Sequence, residues 1–426
     1  MNLRDKSDVL IIGGGVIGLG LARELRKKGA GKITVVERGE LGREASYAAA
    51  GMLAPQAETD CEDEFFRFCS ESNDLYPEFA AALLDETGID IELDRSGTLY
   101  LAFTEGDSAD VRKRYGWQKQ AGMAVEHLTA EETRKAEPFV SPDVRGGLYF
   151  PGDGQVENRK LMQALRLYAE MNGIGTTEGT EVTELLTDGR SVTGVLTAQG
   201  TLSAGTVVLA TGAWTSLIKL GPGAVPVKIK PIKGQMITFQ TAKRLFQRVI
   251  YSPQGYLVPR ADGRVLAGAT VEDAGFDKET TPGGIDFLRG TAVRIAPGLG
   301  SLEIGGKWAG LRPFAADGLP VLGEIAGYEN LLAATAHYRN GILLAPLTAR
   351  IMAEKITGDG SSEYFEFFRP DRFREIAQEK GENIERKSAG MKDDCKCVFM
   401  LTALRKSLSN DLRMYCKRKE VTTRIT

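Results

Sequence analysis

The chain opens with an apolar run, Val9-Leu10-Ile11-Ile12, that has no polar position on either face, the pattern of a strand buried on both sides. It stops at Gly13-Gly14-Gly15. From Val16 to Lys28 the apolar residues Ile17, Leu21, Ala22 and Leu25 return at helical spacing, Gly29 predicts the helix end, and Ile33 to Val36 reads as a second buried strand. Further on, Cys61 to Leu84 reads as helix interrupted near Pro77. Ile91 to Phe103 reads as two strands around Ser96-Gly97, Val111 to Gly122 as helix, and Lys160 to Met171 as a helix just after Asn158. The runs from Glu181 to Leu186 and from Val192 to Leu196 predict a hairpin around Asp188-Gly189. Thr206 to Leu209 repeats the buried-strand pattern and ends in small residues, Pro226 to Met236 reads as a strand crossing between domains, Tyr251 to Arg260 alternates, and Leu266 to Thr270 is a small-residue strand. The class is α/β.

The first unit carries chemistry. Gly13, Gly15 and Gly18 give G-x-G-x-x-G: the first allows a tight turn, the second lets backbone approach a pyrophosphate, and the third lets helix and strand close up. Val16 and Ile17 then lie in the first helical turn, at the positive end of the helix dipole. Glu37, followed by Arg38, ends the second strand where a carboxylate accepts from ribose hydroxyls, which disfavours a 2′-phosphate and so NADP. Alone, this spacing is weak evidence; with a strand before, a helix after and an acid at the second strand end, it marks an adenine dinucleotide site, for FAD or a nicotinamide nucleotide.

The 426 residues suit two domains, and 42% hydrophobic and 26% charged residues are ordinary for a globular protein. A net charge of −3 implies no nucleic-acid partner. No apolar run approaches a membrane span, and the N-terminus enters its first strand within a few residues, so neither signal nor transit peptide is expected. Five cysteines, none between Cys69 and Cys395, make no disulfide framework and point to the cytoplasm. His127 and His337 are the only histidines, and no cluster has metal-ligand spacing.

The polar loop after Glu37 leads into Ala45-Ser46-Tyr47-Ala48-Ala49-Ala50-Gly51-Met52-Leu53-Ala54-Pro55, whose small residues let backbone lie flat against a planar ring. This segment, with Trp308-Ala309-Gly310-Leu311-Arg312-Pro313 and His337-Tyr338-Arg339-Asn340-Gly341-Ile342-Leu343-Leu344-Ala345-Pro346, resembles the D-amino-acid oxidase family of flavin oxidases, most of all the branch that oxidises glycine in thiamine biosynthesis. The resemblance covers about residues 7 to 375.

It implies a doubly wound Rossmann-like FAD-binding domain with an inserted antiparallel-sheet substrate domain: residues 1–90, 145–225 and 305–376 for FAD, residues 91–144 and 226–304 for substrate, and 377–426 as a basic extension. FAD would be held without a covalent cysteine tether by Ala45, Ser46, Ala50, Gly51 and Met52, by Val182 and Gly212, and by His337, Tyr338, Arg339, Asn340, Gly341, Ile342 and Leu343, besides the first βαβ unit. Arg312 would grip a substrate carboxylate with help from Tyr256, and the Arg339 carbonyl would accept from the substrate amine. The implied reaction is oxidative deamination of glycine, or of sarcosine or a small D-amino acid, by hydride transfer to flavin N5, giving an imine, then glyoxylate and ammonia, with dioxygen reduced to hydrogen peroxide. Thiazole-forming enzymes are the implied partners, and a homo-oligomer is open. Other classes are the flavin module of a tRNA-modifying enzyme and a quinone-linked dehydrogenase, against which stand the acidic balance and the lack of a membrane segment. From Gly381 to Thr426, eleven Lys and Arg face six Asp and Glu, a stretch to which the resemblance assigns no role.

Overall fold

The structure is a computed structural model that describes residues 6–221 and 227–373. Its first βαβ unit forms where the hydrophobic pattern places it: β1 (Ser7–Ile12), α1 (Val16–Lys27) and β2 (Ile33–Val36). Leu10, Ile11 and Val35 have no exposed surface, which explains the lack of polar alternation. A side-chain carbon at Gly18 would lie 1.9 Å from the Gly13 carbonyl oxygen, so the third glycine is dictated by how closely the helix crosses the turn. Gly13 itself has φ +110°, which an L side chain rarely adopts.

β1 is central in an eight-stranded sheet. It runs parallel to β2 on one side and to Gly200–Leu209 on the other; Gly175–Thr177 adds to β2 and Leu331–Thr335 to Gly200–Leu209, also parallel, and Val321–Glu324 closes the order antiparallel. The hairpin Val182–Asp188 and Ser191–Thr197 turns at Gly189 and pairs onto the start of Gly200–Leu209. α1 packs against Gly341–Thr357 and Asn158–Met171, and their apolar faces form one core.

A second eight-stranded sheet has the order Ile304–Ala315, Ile229–Gln240, Arg264–Gly268, Gly255–Pro259, Val249–Ser252, Thr98–Ala102, Gly146–Phe150, Glu126–Thr129. It is antiparallel except where Val249–Ser252 runs parallel to Thr98–Ala102. Ile237, Phe239, Ile250, Leu257 and Val265 pack with Leu288, Ala292 and Ile295 of the helix Pro282–Ile295 in a separate core. Both sheets belong to one compact unit, Met1–Asp371; a second unit, Arg372–Thr426, is described only at Arg372 and Phe373. The basic extension and Pro226 lie outside the described residues. Among the described residues no helix is long and apolar enough to cross a membrane.

Gly146–Phe150, just after the boundary expected at 145, and Ile304–Ala315, across the one expected at 305, are stitched into the antiparallel sheet, to Thr98–Ala102 and Ile229–Gln240. Three expectations of local structure need correction. Ile91 to Leu93 forms no strand: the Asp90 carboxylate accepts from Glu92 N–H at 2.8 Å, Glu92 takes φ +54°, and this local turn replaces the ladder. The helix expected from Val111 begins at Glu105, where Thr104 and Asp107 form a capping box. The run from Tyr251 to Arg260 is not one alternating strand but the hairpin Val249–Ser252 and Gly255–Pro259, which places Tyr251 opposite Tyr256. The interruption near Pro77 separates Glu64–Asp74 from Tyr76–Thr87, with the proline in the first turn of the second helix.

Candidate active site

The carboxyl ends of β1, β2 and Gly200–Leu209 and the N-termini of α1 and Gly341–Thr357 converge on one cleft of about 1770 Å³, its solvent-facing mouth included. It runs from Glu37, Arg38 and Val182, past Gly13, Gly15 and Gly212, along Ala45, Ser46 and Ala48 to Met52, and reaches Gly234, Met236, Tyr256 and Arg312 of the second sheet. A crevice at the strand ends of an open α/β sheet is where such folds bind nucleotides.

The donor set suits an anionic dinucleotide. Neither helix pointing at the cleft has an acidic residue in its own first turn, and both present their positive ends to it. Ser46 Oγ accepts from Val16 N–H at 3.0 Å, which leaves the hydroxyl proton for a ligand oxygen. Glu37, 7% exposed, accepts from Gly14 N–H at 2.8 Å and Gly39 N–H at 2.9 Å, so its carboxylate is fixed at the end of β2. Gly212 offers open space: a side-chain carbon there would meet nothing within 4 Å. The chain residues thus fit FAD.

Of the residues singled out in the sequence, the cleft brings together Gly13, Gly15, Val16, Ile17, Glu37, Arg38, Ala45, Ser46, Ala50, Gly51, Met52, Val182, Gly212, Tyr256, Arg312 and His337 to Ile342. Two do not line it. Gly18 lies behind the turn, and Leu343 points into the core, 1% exposed, while its carbonyl accepts from Ser72 Oγ at 2.7 Å; the helix has by then turned this position away. Ahead of that helix, Ala336 and Tyr338 take φ of +61° and +47°, backbone strain of the kind concentrated at functional sites. Between them, His337 is bonded to Thr348 Oγ1 at 3.1 Å, and burial pushes its pKa down to about 3. Its ring is neutral at physiological pH, so positive potential there comes from the helix end.

The two arginines differ. Arg312 Nη1 donates to the Thr270 carbonyl at 3.1 Å and its guanidinium lies flat over Gly234, where a side-chain carbon would come within 2.3 Å of it. Opposite Gly234 in the ladder is Gly310, whose missing side chain makes room for Ala48 on the cofactor side. Among the described residues no carboxylate pairs with Arg312. Arg339, by contrast, donates to Glu58 Oε1 at 2.9 Å and to the Tyr251 hydroxyl at 3.1 Å. The Glu58 carboxylate holds Arg339 firmly in its charged form. Tyr256 is buried beside Arg312, with its hydroxyl 3.4 Å from Met236 Sδ, and burial raises its pKa.

Sequence reasoning missed Glu58, Tyr251 and Arg260. Glu58 ends a one-turn helix, Pro55–Glu58, that leaves no periodic signal. Tyr251 was within reach, since Pro253-Gln254 before Gly255 is a turn signal that pairs it with Tyr256. Arg260 is buried and donates to the carbonyls of Ala50 and Val156, both at 2.8 Å, fixing the small-residue wall from behind. Its signal was an arginine closing the apolar run Tyr-Leu-Val-Pro. No group of His, Cys, Asp and Glu among the described residues is arranged to hold a metal ion.

Residues 8–355 match the family described as FAD dependent oxidoreductase (DAO). The chain belongs to this family. FAD is the cofactor of this FAD dependent oxidoreductase, in keeping with the cleft. The chain is 35% identical over 351 residues to a glycine oxidase of Pseudomonas aeruginosa, covering 82% of this chain and 94% of that one. It is 38% identical over 377 residues to a bifunctional ThiO/ThiG protein of Synechocystis sp., covering 87% of this chain but 55% of the relative, so it spans about half the length of that protein. The crystal structure of glycine oxidase from Geobacillus kaustophilus superposes with a TM-score of 0.82 at 35% identity, covering 86% of this chain and 99% of that one.

Proposed function

We propose that this FAD dependent oxidoreductase oxidises glycine to its imine, which water converts to glyoxylate and ammonia, with dioxygen as the final acceptor and hydrogen peroxide as the second product. The observation that carries the reading is Arg312: a guanidinium laid over Gly234 in the cleft, beside Tyr256, with no carboxylate partner among the described residues. Such a group binds a carboxylate through two parallel hydrogen bonds. The Tyr256 hydroxyl adds a donor on the same side. Gly268 backs this pair, since a side-chain carbon there would lie 2.6 Å from that hydroxyl and 2.3 Å from Met236 Sδ, and the choice of glycine among small amino acids is supported by the likeness to glycine oxidases.

FAD, when bound, supplies the hydride acceptor. The residues that would hold it are Gly13, Gly15, Val16 and Ser46 at the pyrophosphate, Glu37 and Val182 at the adenosine end, and Ala45, Ala50 to Met52, Gly212 and His337 to Ile342 along the remainder. The chain's own part is orientation: Arg312 and Tyr256 fix the carboxylate, the Arg339 carbonyl takes the amine, and the rate follows from alignment. The likeness to a ThiO/ThiG protein supports delivery of the imine to a thiazole-forming enzyme.

The test is to mix the purified holoenzyme with glycine, sarcosine or D-alanine without oxygen, follow the flavin absorbance, and then admit air. Bleaching by glycine at the lowest concentration, with peroxide released on aeration, is the expected result. Preferential bleaching by sarcosine or D-alanine would move the substrate, and an unchanged spectrum with all three would overturn the reading.

A further inference from the structure

Arg114 lies outside the cleft, on the helix Glu105–Gln120, yet it is tied to both partners of Arg339. Its Nη1 donates to the carbonyl of Thr59 at 2.6 Å and of Ala57 at 3.4 Å, the two residues that flank Glu58, and its Nη2 bonds Asp60. Its Nε donates to Asp110 at 3.0 Å; the same carboxylate oxygen accepts from the Tyr100 hydroxyl at 2.8 Å, and the guanidinium lies 5.0 Å over the Tyr100 ring. Tyr100 stacks on Tyr251 at 5.4 Å and 19°, and Tyr251 on Tyr256 at 6.2 Å and 21°.

The segment carrying Glu58 cannot place itself. One helical turn is far below the length at which a helix is stable alone, so Pro55–Glu58 takes its position from outside. Asp153 Oδ1 accepts from Gln56 N–H at 3.2 Å, Gln118 and Gln56 exchange hydrogen bonds of 2.9 and 3.0 Å, and Arg114 holds the far end. Two routes, one through the backbone around Glu58 and one through the tyrosine stack, therefore converge on Arg339.

We propose that Arg114 is a positioning residue that keeps Arg339 locked on Glu58 and Tyr251, so that Arg312 is the one guanidinium offered to the substrate carboxylate. The proposal rests on the carboxylate-binding reading of Arg312. Released from Glu58, Arg339 would compete for that carboxylate and hold the substrate in a second, unproductive pose. Such binding lowers kcat and KM together, whereas a merely loosened site raises KM or leaves it unchanged.

The test compares holoenzymes of wild type, Arg114→Lys, Arg114→Ala, Glu58→Gln and the Arg114→Lys/Glu58→Gln pair. Steady-state kinetics with glycine are read beside the Kd of glycolate, which carries the carboxylate without an amine, from its perturbation of the flavin spectrum. Arg114→Lys should lower kcat and KM together by about fivefold and tighten glycolate binding. Glu58→Gln should do the same, and the pair should go no further than Glu58→Gln alone, because both act through one contact. A raised KM at unchanged kcat, or effects that multiply in the pair, would overturn the proposal. If Arg114→Ala does not fold, the lysine variant decides. Should wild type bind glycolate but not oxidise glycine, the functional reading fails while the glycolate series still judges Arg114; no glycolate binding by wild type would remove both.

Discussion

Arg312 and Arg339 occupy the same cleft with the same formal charge but in different states of satisfaction. Arg339 is neutralised by Glu58, whose side chain is 7% exposed, whereas Arg312 meets the carbonyls of Lys233 and Thr270 and the Tyr256 hydroxyl, and no carboxylate among the described residues. Removing each should therefore read out differently. Arg312→Ala should raise KM for glycine by about 100-fold, the loss of a charge-assisted bidentate contact worth roughly 2–3 kcal/mol, while FAD content and Tm stay near wild type. Arg339→Ala instead strands a buried carboxylate, a lesion that lowers stability by up to about 3 kcal/mol, so its main signature should be a drop in Tm of several degrees. Thermal melts and KM values on the same two proteins check the contrast; equal effects on both would mean that the arginines share one role.

At the scale of elements, the site depends on close crossings that only glycine allows. Adding one carbon at Gly18 puts it 1.9 Å from the Gly13 carbonyl oxygen, a backbone atom that cannot move without displacing the turn. Gly18→Ala should cost about 2 kcal/mol or more and leave purified protein with less bound FAD, measured by Tm and by the ratio of flavin to protein absorbance. This part of the fold was legible because its rules are local: a doubly buried strand reads as a continuous apolar run, and the glycine spacing states where the helix crosses it. What was not legible depended on partners distant in sequence. Ile91 to Leu93 has the composition of a strand, but the Asp90 side chain bonds Glu92 N–H and turns the chain first. Ile304–Ala315 could not be assigned to a sheet until its register with Ile229–Gln240 was known. Glu58 matters through Arg339, 281 residues away, and no period or motif announces such a pair. The family resemblance singled out Arg312 and Tyr256, which both line the cleft; physical pattern alone left the tyrosine a packing residue.

Taken over the whole molecule, two buried groups tie stability to pH with opposite sign. Asp153 sits in the loop after Gly146–Phe150, fully buried, and burial raises its pKa from 3.8 to about 8. Between those values the unfolded chain has released this proton and the fold retains it, so stability falls as pH rises from about 4 to 8. His337 is depressed from 6.5 to about 3 by burial; there the unfolded chain binds the extra proton, and stability falls as pH drops from about 6.5 to 3. Each slope is at most about 1.4 kcal/mol per pH unit, and where the windows overlap, from about 4 to 6.5, the two cancel. Asp153→Asn keeps the shape of the neutral acid and removes one slope only. The variant's Tm, relative to wild type, should climb steadily from pH 4 to pH 8 and then level off, and its own curve should rise from pH 4 to 6.5 as the His337 slope is uncovered. Because every other titrating group is common to both proteins, the difference curve isolates Asp153. Parallel melting curves across that range would show that Asp153 is ionised in the fold at neutral pH, and that the one-turn helix carrying Glu58 is held by a charge rather than by a neutral carboxyl.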